Sequence, residues 1–211
     1  MTFGAFLTLL QGAGVTVLLS LCGILIGVPA GLALALLRRS RIAAVRAPIA
    51  AYVSVVRATP LVTLALLIFF AVPVLGIKVD PVPAAVLTLT LNTAAFNSEI
   101  WRAGLLAFPR DERDAATAFG MTRSVAFRRI VMPQLWRTCL PALVNEMSLL
   151  IKGSPAIAVL GVVEITRAAV RIGAETYEPL PPFLAATLLY ALVVYAFLWV
   201  QRMLEARQIT A

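Results

Sequence analysis

Long apolar stretches alternate with short polar ones along this chain. A membrane-spanning helix needs about twenty mostly apolar residues, and five stretches qualify: roughly 12–37, 48–75, 84–106, 135–162 and 183–202. The pattern therefore predicts an all-α integral membrane protein, one domain over residues 1–211 with five transmembrane helices. The polar connection at 107–134 stands out from the other loops. Residues Asp114 to Gln134, reading DAATAFGMTRSVAFRRIVMPQ, keep a helical periodicity on both sides of Gly120. This predicts two short helices hinged at the glycine. Asp111, Glu112 and Asp114 suit the first turn of one helix, and Arg128 and Arg129 fall towards the end of the other. Ala115, Ala118, Phe119, Val125 and Ile130 would give the hairpin one apolar side, a shape that fits a groove in a partner.

Several spans carry interruptions. Thr59 and Pro60 break the second, Pro141 falls near the start of the fourth, and Gly153-Ser154-Pro155 lies in its middle. A break in lipid exposes backbone groups, so each belongs beside a cavity or a neighbouring helix. In the first span Gly23, Gly27 and Gly31 recur every fourth residue. They form either a small-residue ridge for close helix packing or glycines that are merely tolerated.

Composition supports the membrane reading, with 61% hydrophobic and 13% charged residues against about a quarter charged in soluble proteins. The net charge of +8 does not point to nucleic acid, because the basic residues flank apolar spans. They also predict orientation. Arg38, Arg39, Arg41 and Arg46 follow the first span, six arginines (Arg110, Arg113, Arg123, Arg128, Arg129, Arg137) mark the third connection, and Arg202 and Arg207 follow the last span. By the positive-inside rule these regions are cytoplasmic, which places the N-terminus outside and the C-terminus inside. The opening residues Met1 to Gln11 lack a basic leader, so no cleaved signal peptide is expected. Cys22 and Cys139 both fall in apolar stretches and read as small hydrophobes.

Polar groups inside spans are costly in lipid and mark function or internal pairing. Thr93 and Asn97 share a helical face at i and i+4, and make a candidate substrate-binding pair. Glu99 and Arg102 share another face, and pairing with each other or snorkelling to the interface accounts for them. Glu146 is the third substrate-binding candidate: it would meet a cationic group, or pair with Lys152 or a neighbouring helix. The interruption at Gly153 to Pro155 would add backbone donors for an anion. With no histidine, histidine-based metal sites and Ser-His catalysis are excluded. No catalytic or metal-ligating residue is assigned, and no GxxxxGK[ST] phosphate loop is present to hydrolyse ATP.

The order acidic-Ala-Ala, Gly, Ile, Pro at Asp114, Ala115, Ala116, Gly120, Ile130 and Pro133 resembles the EAA loop of ATP-binding-cassette (ABC) import permeases, with Asp in place of Glu and Met132 in place of Leu. The likeness extends through Arg57-Ala58-Thr59-Pro60-Leu61, Leu91 to Phe96, Glu99-Ile100, Asn145-Glu146, Leu149 to Ser154 and Glu164-Ile165-Thr166. Over nearly the whole chain it is similar to the polar amino-acid (histidine/glutamine-type) uptake branch. It departs from that branch at Ala58, Gly153 and Pro155. The resemblance implies a bacterial inner-membrane permease importing polar amino acids by alternating access. It also implies a coupling site of Asp114, Ala115, Ala116, Gly120, Arg123, Ile130 and Pro133. The implied partners are a cytoplasmic ABC ATPase dimer carrying ATP and Mg, a second permease chain, the same or homologous, and an extracytoplasmic amino-acid-binding protein. No cofactor is expected in this chain itself. Two other classes stay in view: an intramembrane enzyme, for which the chemistry is missing, and a structural or channel-forming subunit without ATPase coupling.

Overall fold

A computed structural model describes residues 2–209, and among them the chain is helices and turns with no strand. Helix α1 (Phe3–Leu37) is 35 residues long, about 50 Å at 1.5 Å per residue. It begins nine residues before the predicted start at 12, because Thr2 caps it: the Thr2 hydroxyl accepts from the Ala5 N–H at 3.3 Å. Then follow α2 (Ala43–Ala58), α3 (Leu61–Val74), α4 (Pro81–Ala107), α5 (Arg110–Ala118), α6 (Arg123–Ala126), α7 (Met132–Gly153), α8 (Ile165–Thr176) and α9 (Leu180–Ile209).

The α1–α4 seam organises the bundle. A Cβ built on Gly23 would lie 2.8 Å from Leu89 Cβ, one on Gly27 2.6 Å from Thr93 Cβ, and one on Gly31 3.1 Å from Asn97 Cβ. The three glycines thus face three residues of α4 also spaced by four, and the two helices run parallel. This settles the glycine question in favour of a packing ridge, the small-residue device that membrane helices use to bring backbones together. Trp101 locks the same seam lower down, donating from its ring N–H to the Val28 carbonyl at 3.2 Å and stacking on Trp136 of α7. Helix α7 runs back against α4: Gly104 faces Leu135 and Cys139, and the Cys139 thiol donates to the Ile100 carbonyl. The core of Leu19, Leu89, Leu105, Leu135, Leu143 and Ile157 lies along these three helices. Cys22 and Cys139 are unpaired, as expected of small apolar packers.

Two of the five expected spans differ in form. The segment 48–75 is not one helix, because α2 and α3 meet at 120° across Thr59 and Pro60. Proline removes a backbone donor and forces the preceding residue to be extended. α4 has the length of a span but is not apolar enough to qualify on composition alone. Its Thr88, Asn92, Thr93, Asn97 and Ser98 are the reason, and all five are buried inside the protein. The expected interruption at Gly153 to Pro155 takes a mild form: the α-helix ends at Gly153 and the chain continues without reversal as a 3-10 helix over Ser154–Leu160. The chain breaks at Gly161, whose φ of +99° is open to glycine at little strain. Pro141 likewise sits within α7 without ending it. Among the described residues three stretches are long and apolar enough to cross a membrane, or four if the bent α2–α3 pair is one crossing.

Candidate functional site

Two sites emerge, one at the end of the bundle and one within it. The first is the α5–α6 hairpin. Asp111 and Glu112 occupy the first turn of α5, where the helix dipole favours negative charge. At its other end Gly120 has a φ of +74° and no atom within 4 Å of where a Cβ would be. The Gly120 N–H donates to the Thr117 carbonyl at 2.9 Å and the Met121 N–H to the Ala116 carbonyl at 3.0 Å. These two bonds close the left-handed helix end in which glycine is preferred. Thr122 then caps α6 from its hydroxyl, 3.4 Å from the Val125 N–H. A π-helical turn at Phe127–Val131 carries α6 into α7. Gln134 donates to Glu112 at 2.6 Å and ties the two arms together.

The predicted residues of this hairpin divide between two faces. Asp114, Ala115, Ala118 and Phe119 point away from the bundle, with Phe119 85% exposed. Ala116 is buried and Ile130 half-buried against the core, so these two seat the hairpin and offer nothing to a partner. Pro133 is exposed at the start of α7. Arg123 is exposed but turns towards a cleft between the hairpin and the spans, which it shares with Arg113.

The second site is intramembrane, and here the structure separates residues that the sequence grouped. Thr93 and Asn97 are 1% and 0% exposed, packed into the α1 glycine ridge. The Asn97 amide donates to the Thr93 carbonyl at 2.9 Å. The pair belongs to a helix seam. Glu146 lies elsewhere, half-buried on α7, on the stripe that also presents Ala142, Asn145, Leu149 and Lys152 to the outside. It makes no ion pair with exposed Lys152 among the described residues. The cation whose field reaches Glu146 is Arg57, which lies over the Phe96 ring at 5.4 Å. One and two helical turns before Glu146, Ala142 and Thr138 join Arg57, Glu99 and Arg102 around an open cavity of about 550 Å³.

Glu99 pairs with Arg102 at 2.6 Å, and also with Arg38. Sequence reasoning reached the first partner and missed the second, having given Arg38 to a loop. The signal was available in retrospect: Arg38 directly follows a helix whose glycines align it with α4. A second group to which the sequence reading gave no role is Glu164. It is 0% exposed and caps α8, accepting from the Thr166 N–H at 2.9 Å, the Arg167 N–H at 2.7 Å and the Tyr190 hydroxyl of α9 at 2.6 Å. Thr16 of α1 accepts from the Ile165 N–H at 3.3 Å in the same place. Glutamate is not among the residues preferred as N-caps, so its identity gave no cue.

A bundle with a close-packed parallel helix pair, polar groups on an exposed intramembrane stripe and a helical hairpin projecting from one end defines a multi-pass membrane transport subunit. The chain belongs to the family of binding-protein-dependent transport system inner membrane components, which it matches over residues 27–210. It is 33% identical over 200 residues to the arginine transport system permease protein ArtQ of Bacillus subtilis (strain 168), covering 94% of this chain and 91% of that protein. It is 32% identical to the L-cystine transport system permease protein TcyB of the same organism, covering 91% and 82% of the two chains. Among solved structures it resembles the crystal structure of an amino acid ABC transporter with histidines, with a TM-score of 0.86, 32% identity and coverage of 95% and 94%.

Proposed function

We propose that this chain is the permease subunit of an ABC importer for polar amino acids, operating by alternating access with five membrane crossings. ATP and Mg are held and ATP is hydrolysed by a partner ATPase dimer. An extracytoplasmic binding protein delivers the substrate, and the N-terminus lies outside with the C-terminus inside. The observation that carries this reading is the outward face of the α5–α6 hairpin. A glycine-closed turn holds Asp114, Ala115 and Phe119 clear of the bundle, and arginines surround it. Phe119 and Val125 are both exposed on this hairpin, and apolar side chains gathered on one exposed surface mark a docking site. The amino-acid transport of the relatives supports the substrate class.

Glu146 is the residue proposed to meet the substrate ammonium, with Arg57 the matching cation for a carboxylate. Both border the α2–α4–α7 face, and there Asn145 and Lys152 would be too polar for lipid. The second permease chain covers that stripe. Thr93 and Asn97 act on transport only through the packing of α1 on α4.

Orientation and docking are tested together by cysteine labelling of the assembled transporter. Single cysteines at Lys78 and Glu175 react with an impermeant reagent from outside, and one at Arg123 reacts only from inside. Labelling of position 123 from outside overturns both.

A further inference from the structure

We infer that the cleft between the α5–α6 hairpin and the ends of α1 and α4 binds the phosphate of an anionic phospholipid headgroup. The cleft holds about 480 Å³ and is lined by Arg39 after α1, Arg113 on α5 and Arg123 at the start of α6. Its remaining wall is Leu36, Leu105, Met121, Ala126, Phe127 and Val131, with Thr117 beside Arg113 one turn on. Three arginines therefore line one space, and no acidic residue is among those lining it. Among the described residues the ion pairs are those of Glu99 with Arg38 and Arg102, so none of the three is neutralised. Arg113 is held in place, donating to the Phe108 carbonyl at 2.8 Å while stacked on the Phe108 ring at 5.5 Å. Arg39 and Arg123 are exposed beside it, and a phosphate is the anion whose geometry a guanidinium fork matches.

The apolar wall selects the source of that phosphate. Leu36 and Leu105 sit in the last turns of α1 and α4, and Leu37 and Leu106 beside them are 50% and 65% exposed on the bundle surface. A headgroup at the arginines would thus have its acyl chains running along an exposed leucine surface. Arg113 and Thr117 face this cleft, whereas Asp114, Ala115 and Phe119 face away from it. The lipid and the ATPase therefore use opposite sides of α5, and a bound headgroup would brace the hairpin from behind.

The test is native mass spectrometry of the assembled transporter purified from vesicles of phosphatidylcholine with phosphatidylglycerol. The wild type is expected to retain phosphatidylglycerol in preference to phosphatidylcholine. Arg39→Gln and Arg123→Gln should each weaken retention about fivefold, the scale of one basic residue at an anionic leaflet. Arg39→Lys, which keeps the charge, should retain most of it. Arg128→Gln and Arg129→Gln remove the same charge from exposed positions of the same loop outside the cleft and should change nothing. Equal loss in these controls, or no lipid preference in the wild type, overturns the inference. So does displacement by excess inorganic phosphate, which would make free phosphate the ligand. Retention by the permease that disappears when the ATPase is bound would assign the cleft to an acidic side chain of the ATPase. The readout is lipid mass and does not depend on orientation or on transport, so its failure is separate from failure of the function proposed above.

Discussion

The α1–α4 seam and the α5–α6 hairpin both depend on glycine, for opposite reasons. In the seam, glycine matters for what its hydrogen leaves room for: at Gly27 any side chain would collide with Thr93. In the hairpin it matters for the backbone, since Gly120 has empty space around it but a left-handed φ. One region is built by exclusion and buries its polar groups. The other is built by conformation and exposes its apolar ones. The difference teaches that substitution at a glycine should damage the fold in one place and the function in the other.

Gly27→Val should give the largest effect on stability. Overpacking a close helix contact costs about 1–3 kcal/mol and more where backbone must move, so the melting temperature of the purified complex should fall sharply. Gly14→Ala on the same helix meets nothing within 4 Å and should leave it unchanged; equal loss in both variants would break the distinction between ridge and tolerated glycines. Next is the buried cap. Glu164→Ala strands two backbone N–H groups and leaves the Tyr190 hydroxyl with Thr166 alone, at about 1–3 kcal/mol for a buried group left unmade. Tyr190→Phe removes one donor and should cost less, measured by the same melting experiment.

Gly120→Val is expected to cost little globally, with local strain of about 1–3 kcal/mol confined to the turn. The complex should fold while co-purification with the ATPase and stimulated hydrolysis fall. The smallest stability change is expected at Glu146→Gln, which breaks no ion pair within the chain. It should lower uptake at nearly constant melting temperature, and adding Lys152→Met should restore nothing. Rescue by that second change would show that the two residues are partners after all.

Much of this architecture is legible in the residue pattern because membrane spans are written in hydropathy, and α1, α7 and α9 follow it. α4 also falls where its length predicts, although its polar residues lower its hydropathy, since they are turned inward onto α1. The hairpin was legible for a different reason. A glycine between two periodic segments has few other meanings, and the turn at Gly120 follows the ordinary chemistry of helix ends. What could not be read was lateral arrangement. Thr93, Asn97 and Glu146 are alike as polar residues in apolar spans, and only packing shows that two of them fill a seam while the third borders an open face. The same limit hid Arg38 from Glu99 and Tyr190 from Glu164, pairs that lie 61 and 26 residues apart. Conversely, Gly153-Ser154-Pro155 carries the composition of a break, yet the chain there stays right-handed and helical.

The most direct test is ATP-dependent uptake of labelled amino acids by proteoliposomes holding this chain with its partner ATPase and binding protein, comparing wild type with Gly120→Val. The account predicts uptake of a polar amino acid by the wild type, abolished in Gly120→Val while the melting temperature of the complex stays close to that of the wild type. Unchanged uptake in Gly120→Val, or no ATP-dependent uptake of any polar amino acid by the intact assembly, would contradict it.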